Sequence, residues 1–115
     1  MARPARARLN AQALLHNFQQ VRRHASRARV MAVVKANAYG HGLAWVATTL
    51  KGADAFAVAG IEEGLALRAA GVKQPIVLLE GFFGADELSS LQSRQLSPVL
   101  HSEYQLRLLE ADSAP

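Results

Sequence analysis

Lys35 stands at the end of the apolar run at residues 30–34, and the string VVKANAYGHG carries it into Ala36, Asn37, Ala38, Tyr39, Gly40, His41 and Gly42. A lysine at the carboxyl end of a buried strand lies on the edge where parallel α/β folds place their function. Among apolar walls the charged form of such a side chain is disfavoured. A neutral amine attacks aldehydes and ketones, so Schiff-base chemistry is the natural use of a lysine held this way. Tyr39, four residues on, has a hydroxyl that can donate to an anion. Gly40 and Gly42 let the backbone take positive φ and approach a ligand closely. The competing reading is a strand-end lysine that extends to solvent beside glycines serving only a turn. The residue types by themselves leave both open.

The elements that must position this stretch follow from periodicity. Ala11, Leu14, Leu15, Phe18, Val21 and Ala25 recur at steps of three and four and predict a helix opened by Asn10. Arg22, Arg23 and His24 fall in its last turns, where cations suit the helix dipole. Residues 30–34 form an unbroken apolar run rich in valine, which predicts a parallel strand covered on both faces. A helix over 43–50 follows. Then come a strand over 54–59 and a helix over 61–70 that Gly71 stops. Pro75 opens a strand over 76–80, followed by a short helix over 86–92 and a strand over 98–101 that begins at Pro98. Ser102 and Gln105 make the S-x-x-Q capping box of a last helix. The expected strands end near Lys35, Ala59, Glu80 and His101, at intervals of 24, 21 and 21 residues, which is the cadence of βαβ units. Two architectures fit: a small doubly wound sheet, or the opening part of a (β/α)8 barrel. The length of 115 residues favours the first, since a whole barrel needs about 250.

Composition limits the rest. Half of the residues are apolar, and no stretch approaches the roughly 20 apolar residues of a membrane span. The basic N-terminus lacks an apolar run of signal-peptide length, so it is expected to be uncleaved and the protein cytoplasmic. With no cysteine there is no disulfide and no thiolate metal site, and no metal is expected. The net charge of +4 is uneven: residues 1–53 hold nine Lys and Arg, and all nine acids lie at Asp54 or later. A polyanion partner is one use of that asymmetry. However, Phe18 is the only aromatic residue before Tyr39, which provides no stacking platform for nucleic-acid bases.

The string AVVKANAYGHG resembles the cofactor-attachment motif of alanine racemases, enzymes dependent on pyridoxal 5'-phosphate (PLP). The stretches LNAQALLHNFQQVRR and FAVAGIEEGLALRAAGVKQPIVLLEG resemble that family's first helix and its second and third strands. The resemblance extends over essentially the whole chain. It selects the barrel: an α/β, partial (β/α)8 TIM-type barrel comprising the first four β-α units and a preceding helix. It implies that Lys35 holds PLP as a Schiff base and acts as one acid–base group at the α-carbon of alanine. It implies that Tyr39 hydrogen-bonds the PLP phosphate. It assigns no role to Asn37, His41, Glu80 or His101, although His41 between two glycines can shape the loop.

In that family the second base is a tyrosine from a C-terminal β domain, supplied across a homodimer. Of the two tyrosines here, Tyr39 is already assigned to the phosphate, and Tyr104, just after a capping box on the last helix, is expected to serve surface or packing. Residues 1–115 are therefore expected to be an N-terminal part of the barrel domain, without the later strands and the β domain, and inactive alone. The reaction implied is interconversion of L-alanine and D-alanine, the latter a peptidoglycan precursor. A related barrel-type PLP decarboxylase shares a VKAN-like string but does not usually continue AYGHG. A racemase of different specificity stays open, as does a non-catalytic remnant that uses its basic N-terminal half on a polyanion.

Overall fold

The computed structural model describes residues 3–112. Helix α1 (Ala11–His24) begins where Asn10 Oδ1 accepts from the Ala13 N–H at 3.1 Å, the cap expected from sequence. Its apolar face is covered less than the periodicity implies. Leu14 and Phe18 pack against the core, while Leu15 and Val21 are exposed. Arg22 fixes the helix end: its guanidinium lies over the Phe18 ring at 4.9 Å, donates to the Gly52 carbonyl and pairs with Asp54 at 3.6 Å.

Four strands follow, β1 (Met31–Val33), β2 (Ala55–Val58), β3 (Ile76–Leu78) and β4 (Leu96–Pro98). They form one all-parallel sheet in the order β1-β2-β3-β4. Between them lie α2 (Lys35–Tyr39), α3 (Leu43–Thr49), α4 (Ile61–Ala69), a 3-10 turn (Ala85–Glu87) and α5 (Leu88–Ser93), and α6 (Glu103–Ala111) follows β4. Gly71 at φ +89° ends α4 as expected. Arg68 closes the opposite edge by donating to the carbonyls of Val72, Gln74, Arg94 and Gln95, each at 2.9 Å.

In a parallel sheet, aligned partners share a face. Ala32, Phe56, Ile76 and Leu96 are aligned, as are Val58, Leu78 and Pro98. Phe56, Val58, Ile76, Leu78 and Leu96 are buried with Val46, Ala47 and Leu50 of the α3 region, Leu67 of α4, and Leu88 and Leu91 of α5. The core therefore lies between one face of the sheet and its helices. Consecutive strand order with helices on one face is the barrel arrangement, whereas a doubly wound sheet reverses its order and carries helices on both faces.

Two expectations fail here. The run at residues 30–34 is not covered on both faces: Val34 is 2% exposed, but Met31 and Val33 are 48% and 43% exposed. Their aligned partners are Ala55 and Ala57, and no helix of the described residues covers that face. The fourth strand begins at Leu96 and ends at Pro98 instead of starting there, because Leu96 pairs with Ile76 and enters the core. Among the described residues no helix is long and apolar enough to cross a membrane.

Candidate functional site

The carboxyl edge of β1 carries the candidate chemistry. Val34 extends the ladder by donating to the Ala57 carbonyl at 2.8 Å and buries its side chain. The chain then does what its composition conceals. Ala36, Asn37, Ala38 and Tyr39 take φ of 53°, 54°, 55° and 56°, one turn of left-handed helix built without glycine. Each such residue costs about 1–2 kcal/mol relative to the right-handed form, with Asn tolerating it best. Strain on this scale persists only where the surroundings over-determine it.

The surroundings can be enumerated. Ala38 N–H donates to the Val34 carbonyl at 2.9 Å, and its side chain is buried. Gly40 N–H donates to Ala36 at 3.0 Å, His41 N–H to Ala38 at 3.1 Å, and Gly42 N–H to Asn37 at 3.0 Å. Gly40 and Gly42 themselves sit at φ +90° and +99°, which explains their identity. No atom lies within 4 Å of where a Gly40 side chain would begin, so close packing does not explain it. Helix α3 starts at Gly42, which has no side chain to cap it. Asn37 Oδ1 does so instead, accepting from the Leu43 N–H at 2.9 Å. His41 Nδ1 lies 3.0 Å from the Ala38 carbonyl, which makes Nδ1 the protonated nitrogen and gives His41 the loop-shaping part expected of it.

Lys35 and Tyr39 occupy the two ends of this turn. Both are exposed, Tyr39 at 59%. The apolar enclosure expected around Lys35 is not supplied by the described residues, among which it joins no ion pair. What the arrangement offers is an accessible primary amine and an accessible phenol on one rigid turn at the carboxyl edge of a parallel sheet. His101 is committed elsewhere: its Nε2 donates to the Leu79 carbonyl at 2.6 Å and ties the ends of β3 and β4 together. Tyr104 projects from α6, 59% exposed.

Sequence reasoning passed over Asn37 and Glu63. Glu63 accepts from the Ala59 N–H at 3.0 Å through Oε1 and from the Asn37 N–H at 3.2 Å through Oε2. An acid in the third position of a helix is the available signal, and it points to a cap of that helix, not to a contact 26 residues upstream.

Residues 9–114 match the family model described as alanine racemase, N-terminal domain. The alanine racemase of Nitrosomonas eutropha is 53% identical over 111 residues, which are 96% of this chain and 31% of that protein. The structure of alanine racemase from Acinetobacter baumannii superposes with a TM-score of 0.86 at 37% identity, covering 89% of this chain and 30% of that one. The crystal structure of alanine racemase from Bartonella henselae, which has covalently bound pyridoxal phosphate, superposes with a TM-score of 0.76 at 33% identity over 86% of this chain and 28% of its own. The chain thus spans about a third of the length of these relatives.

Proposed function

This chain belongs to the family of alanine racemase N-terminal domains, and from that premise we propose that the protein interconverts L-alanine and D-alanine with PLP attached to Lys35. The reading includes the domain: residues 1–115 form the N-terminal part of a PLP-binding (β/α)8 barrel, with the second base supplied by the C-terminal β domain of a second copy across a homodimer. The observation that supports it best is the pairing of an exposed amine and an exposed phenol across one strained turn.

The donor set fits the cofactor. A primary amine free of any ion pair among the described residues suits an aldehyde, and a phenolic hydroxyl suits a phosphate. PLP, when bound, supplies an electron sink that makes the α-proton of a bound amino acid acidic. The chain's own residues would do the rest. Lys35 Nζ would hold the aldehyde carbon covalently, give it up to the amino group of the substrate, and, freed as an amine, would take or return the α-proton on one face of the substrate. Racemisation needs proton transfer on both faces, and one amine reaches only one. Tyr39 would donate its hydroxyl to the phosphate and so anchor that end of the cofactor. The left-handed turn holds both side chains in a single backbone geometry.

The test is borohydride reduction of the PLP-loaded full-length protein, followed by peptide mapping. The sequence has three lysines, and Lys51 and Lys73 follow helices α3 and α4, on the opposite edge of the sheet. A pyridoxyl group on the peptide containing Lys35, absent from Lys35→Ala, is expected. An adduct that maps to Lys51, Lys73 or a lysine outside this chain refutes the assignment.

A further inference from the structure

The three helical segments that follow β2, β3 and β4 open in the same way. Glu63, Glu87 and Gln105 are each the third residue of their segment. Each sends Oε1 back to the N–H four residues earlier: Ala59 at 3.0 Å, Phe83 at 3.0 Å and His101 at 2.5 Å. In two of the three the second polar atom reaches across the rim to a neighbouring loop, whereas Glu87 Oε2 is buried without a partner among the described residues. Gln105 Nε2 donates to the Phe82 carbonyl, beyond β3, at 2.9 Å, and Glu63 Oε2 accepts from the Asn37 N–H, beyond β1, at 3.2 Å. Helix α3 has no such residue, since its third position is Trp45 and its cap comes from Asn37.

We propose that Glu63 is a positioning residue for Lys35: one carboxylate oxygen holds the Ala59 N–H at the approach to α4, and the other locks the left-handed turn that carries Lys35 and Tyr39. Among the described residues, the bond from Asn37 N–H to Glu63 is the only hydrogen bond linking residues 35–42 to a distant part of the chain. All the other bonds of the turn are local, within itself or to adjoining residues. A carboxylate is needed because both targets are N–H donors. The inference rests on the assignment of Lys35 as the cofactor lysine.

Gln105 shows what Glu63→Gln would do. There the amide oxygen keeps the bond to the preceding N–H, and the NH2 group faces a carbonyl. In Glu63→Gln the oxygen would keep Ala59, and the NH2 group would face the Asn37 N–H, donor against donor. The variant therefore preserves the bond to Ala59 and breaks the cross-link alone. Glu62→Gln removes the same charge from the same helical turn, at a side chain that bonds to nothing in the turn.

The experiment is hydrogen exchange by peptide mass spectrometry on the full-length protein before PLP is added, followed by titration with PLP. In Glu63→Gln, exchange in peptides over residues 33–43 rises about three- to tenfold, and the dissociation constant for PLP rises by a similar factor. Peptides over 61–70 remain as in the wild type, and Glu62→Gln changes neither readout. The proposal is overturned if Glu63→Gln leaves the 33–43 peptides protected, or if Glu62→Gln matches it. Equal loss of protection over 33–43 and 61–70 also overturns it, since that marks a general support of the α4 region only. If wild-type borohydride mapping places PLP away from Lys35, the functional assignment fails, and the exchange data still decide whether Glu63 locks the turn.

Discussion

Replacing Asn37 tests whether the left-handed turn is a property of the sequence. Asn37 sits at φ 54° and ψ 44°, and its Oδ1 is the cap of α3. Asn37→Ala removes the cap bond, a loss of about 0.5–2 kcal/mol. It also replaces a residue that tolerates the left-handed region with one that pays about 1–2 kcal/mol there. Together these destabilise by about 1.5–4 kcal/mol. Asn37→Gly loses the same cap but adopts positive φ freely, at an added cost of about 0.4–1 kcal/mol from greater freedom of the unfolded chain. Its total comes to about 1–3 kcal/mol, with the cap loss common to both variants.

The expected order is thus wild type, then Gly, then Ala, with a gap of about 1 kcal/mol between the two variants. That order reverses the ranking of an ordinary helix interior, where Ala is better than Gly by about 1 kcal/mol. Urea denaturation of the full-length variants, monitored by far-UV circular dichroism, gives the midpoints. PLP affinity should fall in the same order, because the same turn holds Lys35 and Tyr39. Should Asn37→Ala be as stable as Asn37→Gly, or more so, the turn is not left-handed at this position and the account of its strain is wrong.

Two further substitutions probe the frame around the site. At Gly81, φ is +73° and an added methyl group would lie 2.4 Å from the Val99 carbonyl oxygen and 2.8 Å from Gln105 Nε2. Gly81→Ala must therefore displace either a buried, doubly bonded glutamine or backbone held by the Val99–Leu78 bond, so a loss of about 3–5 kcal/mol is expected as a lowered thermal midpoint. A change below about 1 kcal/mol would refute the packing argument. Arg68→Met keeps the aliphatic stem but removes all four carbonyl contacts, so the denaturation midpoint should fall by the equivalent of about 2–4 kcal/mol, with PLP affinity preserved because the side chain lies at the opposite edge of the sheet. An unchanged midpoint would show that water replaces those contacts without loss.

Much of this fold is legible in the residues because local chemistry and tertiary environment agree. The Asn10 cap, the Gly71 stop and the βαβ cadence all reappear in the structure. The exceptions have physical causes. A continuous apolar run reports the surroundings its side chains prefer, but it cannot say which part of a protein provides them, so Met31 and Val33 were expected to be covered and are not. The start of β4 was placed by the tolerance of strands for a leading proline, whereas Leu96, by packing opposite Ile76, sets the register. The capping box of α6 is only half as expected: Ser102 accepts from the Gln105 N–H, but the Gln105 side chain goes to His101 and Phe82. Its second target lies across the rim, beyond the reach of a local pattern.

The turn at Lys35 is the hardest feature to read and bears most directly on function. Alanine is the best right-handed helix former, so Ala36 and Ala38 argue against the conformation they adopt. A glycine at any of positions 36–39 would remove strain, yet glycine enters only at 40 and 42, just after the turn. The difference is one of freedom. Glycine reaches the left-handed region but also much else, whereas Ala, Asn and Tyr, once forced there, have a narrow basin and few exits. A strained turn of such residues, closed by Asn37 Oδ1 at one end and pinned by Glu63 from α4, fixes the backbone between Lys35 and Tyr39 more tightly than a relaxed glycine loop could. An amine that must both hold a group and move a proton at one atom of it tolerates little positional error. Under the proposed role of Lys35, the strain is the physical counterpart of that requirement, with its cost offset by bonds from Asn37 and Glu63.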